Sequence, residues 1–118
     1  MSVLEVCAGA GGLALGLHRC GVEHVAFCES QPYPRRVLAR HWPDVPCFKD
    51  MTTLRASELS GPVDAVIGGI PCQPASSAGL QRGTDDPRHL WPHVRRVIKE
   101  CAPSIVFLEN VPGLLNVL

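Results

Sequence analysis

Short apolar runs alternate with helical patterns along the whole chain. The runs are Val3-Leu-Glu-Val-Cys7, His24-Val-Ala-Phe-Cys28, Val45-Pro-Cys-Phe48, Asp64-Ala-Val-Ile-Gly68 and Ser104-Ile-Val-Phe-Leu108. Near-continuous apolar character over so few residues predicts parallel strands covered on both faces. The third run contains Pro46, which cannot donate to a ladder and suits only a sheet edge. Between the runs, Leu13, Leu17 and Cys20 recur at helical spacing, and Gly21 is placed to end that helix. Residues 32 to 41 predict a second helix, its prolines confined to the first turn. Leu90, Val94, Val97, Ile98 and Cys101 form one apolar stripe, predicting a helix over 91 to 101 that Pro103 stops.

Strand–helix alternation predicts an open α/β sheet built from right-handed crossovers. Such sheets bind ligands outside the carboxyl ends of their strands. Each run here leads into a group of chemical character: a glycine cluster, Glu29, Asp50, Cys72 and Glu109 in turn. Five such groups along one edge predict a single site.

Composition narrows this picture. A chain of 118 residues suits one domain, and 46% hydrophobic with 19% charged residues can bury a core. No apolar run approaches the roughly 18 residues of a membrane span, and the N-terminus lacks a basic-then-apolar leader. The expectation is a cytoplasmic protein with no membrane partner. Formal net charge is zero, which by itself argues against nucleic-acid binding. The charge is uneven, however: Arg82, Arg88, Arg95, Arg96 and Lys99 face only Asp85 and Asp86 between residues 82 and 99. That stretch is either a solvated helix face or a phosphate-facing one. No two of the six cysteines have the C-x-x-C spacing of a zinc or redox site, so no metal is expected. Cys7, Cys28 and Cys101 adjoin apolar runs and read as small buried hydrophobes.

Three motifs carry the chemistry. In Cys7-Ala-Gly-Ala-Gly-Gly-Leu13, Gly9, Gly11 and Ala14 match G-x-G-x-x-G/A between a strand and a helix. Backbone can then approach a ligand closely at a positive helix end. Glu29, 20 residues beyond Gly9, stands at the distance of a carboxylate that binds ribose hydroxyls. These features indicate a nucleotide-like cofactor without separating NAD from S-adenosylmethionine, and a glycine turn packing helix on strand is the alternative. Asp50 could accept from an adenine amino group or cap the short helix that follows. In Gly68-Gly-Ile-Pro-Cys72-Gln-Pro-Ala-Ser76 two prolines frame a single thiol, a setting a merely structural cysteine does not need. In Phe107-Leu-Glu109-Asn-Val-Pro-Gly113 a carboxylate leaves an apolar strand, where burial would raise its pKa and let it donate a proton. A carboxylate bonded to nearby backbone is the alternative there.

Together these residues resemble the cytosine-5 DNA methyltransferase family from Leu4 to about Leu115. Cys7-Ala-Gly-Ala-Gly-Gly is similar to its cofactor loop, Pro71-Cys72-Gln73 to its nucleophile motif and Glu109-Asn110-Val111 to its second catalytic motif. Arg88-His-Leu-Trp91 resembles the element between them. The resemblance implies a Rossmann-like fold for S-adenosylmethionine-dependent methyl transfer, with an open, mostly parallel sheet. It implies double-stranded DNA as partner, Cys72 as nucleophile and Glu109 as the acid that holds the flipped base. Cys7, Ala8, Gly9, Gly11, Gly12, Glu29, Ser30, Asp50, Met51, Pro71 and Leu90 would hold the cofactor. Gln73, Ser76 and Arg82 would meet DNA, with the 73 to 86 segment closing over it.

Cys7 and Ala75 stand where the family usually has aromatic residues. On this resemblance, residues 1–118 form the N-terminal part of a catalytic domain, truncated after the fifth strand and lacking the target-recognition region and the returning segment. Two readings arise: an enzyme portion that acts with a longer chain or a complementing C-terminal half, or a truncated remnant that at most binds cofactor or DNA. An NAD-dependent oxidoreductase is a third.

Overall fold

The computed structural model describes residues 1–70 and 87–109. In chain order these form β1 (Ser2–Val6), α1 (Gly12–Arg19), β2 (Glu23–Cys28), α2 (Pro32–His41), β3 (Cys47–Phe48), a 3-10 turn at Ala56–Glu58, β4 (Ala65–Gly69), α3 (Pro87–Cys101) and β5 (Ile105–Glu109). The strands lie in the order β3-β2-β1-β4-β5, and every neighbouring pair is parallel. The short β3 occupies an edge, directly after Pro46.

Alternation along the strands divides the core between the two faces of the sheet. Leu4, Val6 and Val66 turn to one face, where Val94 and Val97 of α3 pack with Met51 and Leu54. Val3, Ala65 and Ile67 turn to the other, against Leu17 of α1. On that second face Phe27 packs with Ala14 of α1 and Leu38 of α2. The helices after β1 and β2 therefore cover one side and the helix after β4 covers the other, as right-handed crossovers in opposite directions require. The chain reverses direction between β1 and β4, which is the switch point where an open α/β sheet forms its ligand crevice.

Several expectations need correction. In α1 the buried residue is Ala14, while Leu13 is 37% exposed and Cys20 is exposed. The small residue seats the helix close to Phe27, which turns the leucine outward. Cys7 and Cys101 are only partly buried, and Cys28 alone fits the buried-hydrophobe reading. The expectation of strands covered on both faces fails at β5, where Ile105, Val106 and Phe107 are 45%, 46% and 58% exposed. β5 is an edge strand and no described helix packs over its outer half. The helix expected over 91 to 101 begins at Pro87, with Pro92 accommodated inside it.

Two glycines set how closely the layers approach. A Cβ on Gly68 would lie 2.1 Å from the carbonyl oxygen of Val6 on the paired strand. Gly11, at φ 93°, would place a Cβ 2.6 Å from the Trp42 ring. Neither can move cheaply, because one obstacle is backbone and the other a packed indole. Gly16, in the middle of α1, has nothing within 4 Å of its Cβ position. Gly68→Ala is expected to lower the unfolding free energy by more than about 3 kcal/mol, whereas Gly16→Ala should raise it by about 0.5–1 kcal/mol through helix propensity. Urea denaturation midpoints at constant m-value check both.

Candidate active site

The site begins where β1 ends. Cys7 adopts a left-handed backbone at φ 51°, followed by Gly9 at φ 57° and Gly11 at φ 93°. A non-glycine residue in this region costs about 1 kcal/mol and holds only where neighbours enforce it. Here Ala8 donates its N–H to the Cys28 carbonyl at 3.2 Å, and Gly11 donates to the Ala8 carbonyl at 3.3 Å. The loop then enters α1 at Gly12, where the positive end of a helix favours an electron-rich ligand.

Glu29 closes this loop against β2. Its Oε1 accepts from Gly9 N–H at 2.8 Å and its Oε2 from Gln31 N–H at 2.8 Å. Arg35, one turn into α2, donates to the Glu29 carbonyl at 3.1 Å. The carboxylate is thus oriented by backbone on both sides, and each oxygen has a further lone pair for a hydroxyl donor. Ser30 beside it is exposed.

After β3, Asp50 is exposed, and its Oδ1 accepts from Thr52 Oγ1 at 2.6 Å and Thr52 N–H at 2.8 Å. Those bonds hold its pKa below the ordinary carboxylate value, with a smaller electrostatic contribution from His93 on α3. Asp50 is therefore an ionised acceptor at neutral pH. Its carbonyl also accepts from Thr53 and Leu54, so the residue caps a turn as well as facing outward. Met51 behind it is 5% exposed and its side chain belongs to the core, leaving only its backbone near the edge. Leu90 likewise packs against that core cluster.

A cleft of about 280 Å³ opens at the switch point, lined by Glu5, Cys7, Ala8, Leu13, Gly69, Phe107 and Glu109. Glu109 stands opposite Gly69 in the β4–β5 register, and its Oε2 would lie 3.2 Å from a Cβ on that glycine. The ladder runs one bond beyond β4: Ile70 N–H donates to the Glu109 carbonyl at 3.1 Å. Ile70 is two residues before Cys72, so the chain leaves β4 alongside the acid. The sequence predicts a buried carboxyl at 109, but the structure leaves it exposed. Among the described residues no helix covers β5 beside it.

Pro71, Cys72, Gln73, Ser76 and Arg82 lie outside the described residues. The structure brings together Cys7, Ala8, Gly9, Glu29 and Glu109 at one end of the sheet, with Asp50 at the end of β3. It also shows residues that sequence reasoning missed. Glu5 is buried with His24, joined by a 2.7 Å bond between Oε2 and Nε2, and the His24 ring stacks on Phe27. The signal was available, since Glu5 is the one charge inside an otherwise apolar run. Phe107 read only as a strand residue, yet it forms a wall of the cleft. His89 and His93, four apart on α3, were likewise passed over; among the described residues no group of three or more ligating side chains could hold a metal ion. The basic stretch also divides. Arg95 and Lys99 are exposed, whereas Arg96 turns in to Glu100 and the Met51 carbonyl.

Known proteins resemble the chain in sequence and in fold. The model of the family described as C-5 cytosine-specific DNA methylase matches residues 1–117. Type II methyltransferase M.NgoMIV of Neisseria gonorrhoeae is 45% identical over 113 residues, covering 96% of this chain and 36% of the relative. Type II methyltransferase M.PspPI of Psychrobacter sp. is 41% identical over 115 residues, covering 96% of this chain and 28% of the relative. A crystal structure described as a DNA modification methyltransferase encoded within an E. coli prophage superposes with a TM-score of 0.78 at 28% identity, covering 98% of this chain and 33% of that one. The chain spans about a third of the length of these relatives.

The thiols of Cys28 and Cys47 are held protonated and are not poised as nucleophiles. Burial pushes Cys28 up from its ordinary 9.0 to about 12, helped by Cys7, Cys47, Glu29 and Asp50 nearby. Burial also raises Cys47, against the lowering effect of Arg35. The folded state holds the Cys28 proton more tightly than the unfolded chain does. Its contribution is therefore fully present below pH 9 and is lost as pH rises toward 12, a difference on the order of 4 kcal/mol. Unfolding free energy measured by urea titration is expected to fall more steeply between pH 9 and 12 in the wild type than in Cys28→Ala. Parallel slopes would show that this thiol ionises equally in both states.

Proposed function

The chain belongs to the C-5 cytosine-specific DNA methylase family, and from that premise we propose that it carries the cofactor and nucleophile portion of an enzyme that methylates carbon 5 of cytosine in double-stranded DNA. The observation that carries this reading is the bond from Ile70 N–H to the Glu109 carbonyl, which ties the approach to Cys72 to the acid beside the cleft. The family match sets the nicotinamide alternative aside.

The residues fit S-adenosylmethionine. Glu29 offers an oriented carboxylate for ribose hydroxyls, Gly9 leaves open space for close backbone approach, and ionised Asp50 can accept from the adenine amino group. When bound there, the cofactor supplies the methyl group. The remaining chemistry belongs to the chain and the base. The target cytosine leaves the stack, because neither of its reacting atoms is accessible inside a duplex. The Cys72 thiolate adds to carbon 6, forming a carbon–sulfur bond and pushing electrons toward carbon 5. Glu109 binds the exocyclic amino group and ring nitrogen 3, donating the proton that neutralises the developing charge. Carbon 5 takes the methyl; its proton then leaves to solvent, the electron pair re-forms the ring double bond and expels the Cys72 thiolate, and the proton on nitrogen 3 returns to Glu109. Gln73, Ser76 and Arg82 would serve as DNA contacts.

The uncovered β5 favours a second part to this reading. Ile105 and Phe107 beside Glu109 are half exposed, and the relatives extend over about three times this length. We infer that the C-terminal portion of such a methylase, in the same or a complementing chain, covers β5 and buries Glu109. The 118 residues alone are then a poor catalyst.

A chimera of residues 1–118 with the remaining length of the Neisseria relative tests both parts. Incubated with duplex DNA and radiolabelled S-adenosylmethionine, it is expected to incorporate label at carbon 5 of cytosine, at least a hundredfold faster than residues 1–118 alone, and to lose incorporation on Cys72→Ser. That margin is the scale on which an incomplete active site slows chemistry. Equal activity of chain and chimera contradicts the second part. Label that survives Cys72→Ser contradicts the first.

A further inference from the structure

The segment after β3 is tied to α3 at two points. Arg96 Nη1 donates to both Glu100 oxygens, at 3.1 Å and 3.0 Å, and Nη2 donates to the Met51 carbonyl at 3.0 Å. Glu100 Oε2 accepts in turn from Ala56 N–H at 3.3 Å. One ion pair thus grips both ends of the stretch between Met51 and Ala56. Beneath it Met51 and Leu54 insert their side chains among Val94 and Val97 of the same helix.

An exposed i,i+4 pair on a helix contributes little to stability. Arg96 does something else with its fork. A planar guanidinium with fixed donor directions can hold a carboxylate and a carbonyl at once, and an ammonium cannot reproduce that geometry. The Met51 carbonyl belongs to the residue directly after Asp50, so its anchoring restricts the backbone on which the Asp50 carboxylate turns. Thr52 fixes Oδ1 of that carboxylate from within the same turn. Position comes from α3, and orientation comes from the turn.

We propose that Arg96, backed by Glu100, is a positioning residue that sets Asp50 for the adenine amino group of the cofactor. The inference deepens the assignment of Asp50 to the cofactor and rests on it. Arg96 touches no ligand itself and acts through the backbone at Met51.

The test uses two ligands that differ only at that amino group, S-adenosylhomocysteine and its purine-riboside analogue with hydrogen at carbon 6, titrated calorimetrically into the 118-residue chain. Wild type is expected to prefer the adenosyl ligand by about tenfold, the scale of one hydrogen bond to a charged acceptor. Asp50→Ala should reduce the ratio to near one. Arg96→Met should reduce it to about two, and Arg96→Lys should fall between, because lysine can reach the carbonyl or the carboxylate but not bridge them. A wild-type ratio in Arg96→Met while Asp50→Ala loses it overturns the proposal. So does equal weakening of both ligands by Arg96→Met, which would mark a merely structural role. If Asp50→Ala keeps the preference, or wild type binds neither ligand, the cofactor assignment falls first and this inference with it.

Discussion

The approach of β4 to β1 is the constraint on which the rest depends. Gly68 packs against the Val6 carbonyl with no space for a side chain, so the two strands run together to their carboxyl ends. β5 then pairs with β4 through Glu109 opposite Gly69, and Ile70 extends the ladder by one further bond. Three strand ends therefore discharge their chains at one place: the glycine loop from β1, the path to Cys72 from β4 and the carboxylate from β5. Because parallel strands share one polarity, the chemistry collects at one edge without any loop having to travel. Glu29 joins the glycine loop to β2 and brings that end of the edge into the same unit.

Much of this was legible in the residues because the periodicities are strong. The second helix spans Pro32–His41, as the prolines in its first turn and its spacing predicted. Pro46 assigned β3 to an edge, where the sheet order puts it. The illegible part was long-range. Leu13 was expected to bury because it shares a helical stripe, but periodicity cannot tell that Ala14 lets α1 sit closer to Phe27. Glu109 looked buried because its strand is apolar, and only the sheet order reveals that β5 lies at an edge. Arg96 read as one of a basic series. Its partner on the Met51 side is 45 residues away, at a distance in sequence that no local pattern reports. Glu5 and His24 form a buried pair 19 residues apart for the same reason.

The same long-range contacts organise the electrostatics. Burial and neighbouring negative groups keep the Cys28 thiol protonated at working pH, so the thiol at the end of β2 is not poised as a nucleophile. On the same side of the switch point, exposed Asp50 is held ionised by Thr52. The edge thus has acceptors toward the β2 and β3 ends and an acid at the β5 end, a division that suits holding a donor at one end and a base at the other.

The central claim is that the Cys72 sulfur and the Glu109 carboxyl act on opposite parts of one extruded pyrimidine. It is tested most directly by trapping. A duplex carrying 5-fluorocytosine at the target cannot lose a proton from carbon 5, so an adduct formed there persists. Incubated with such DNA and S-adenosylmethionine, the completed chimera is expected to yield a covalent complex whose mass-mapped attachment is Cys72, formed more slowly in Glu109→Gln. Attachment through another residue, or an adduct whose rate ignores position 109, would contradict the account.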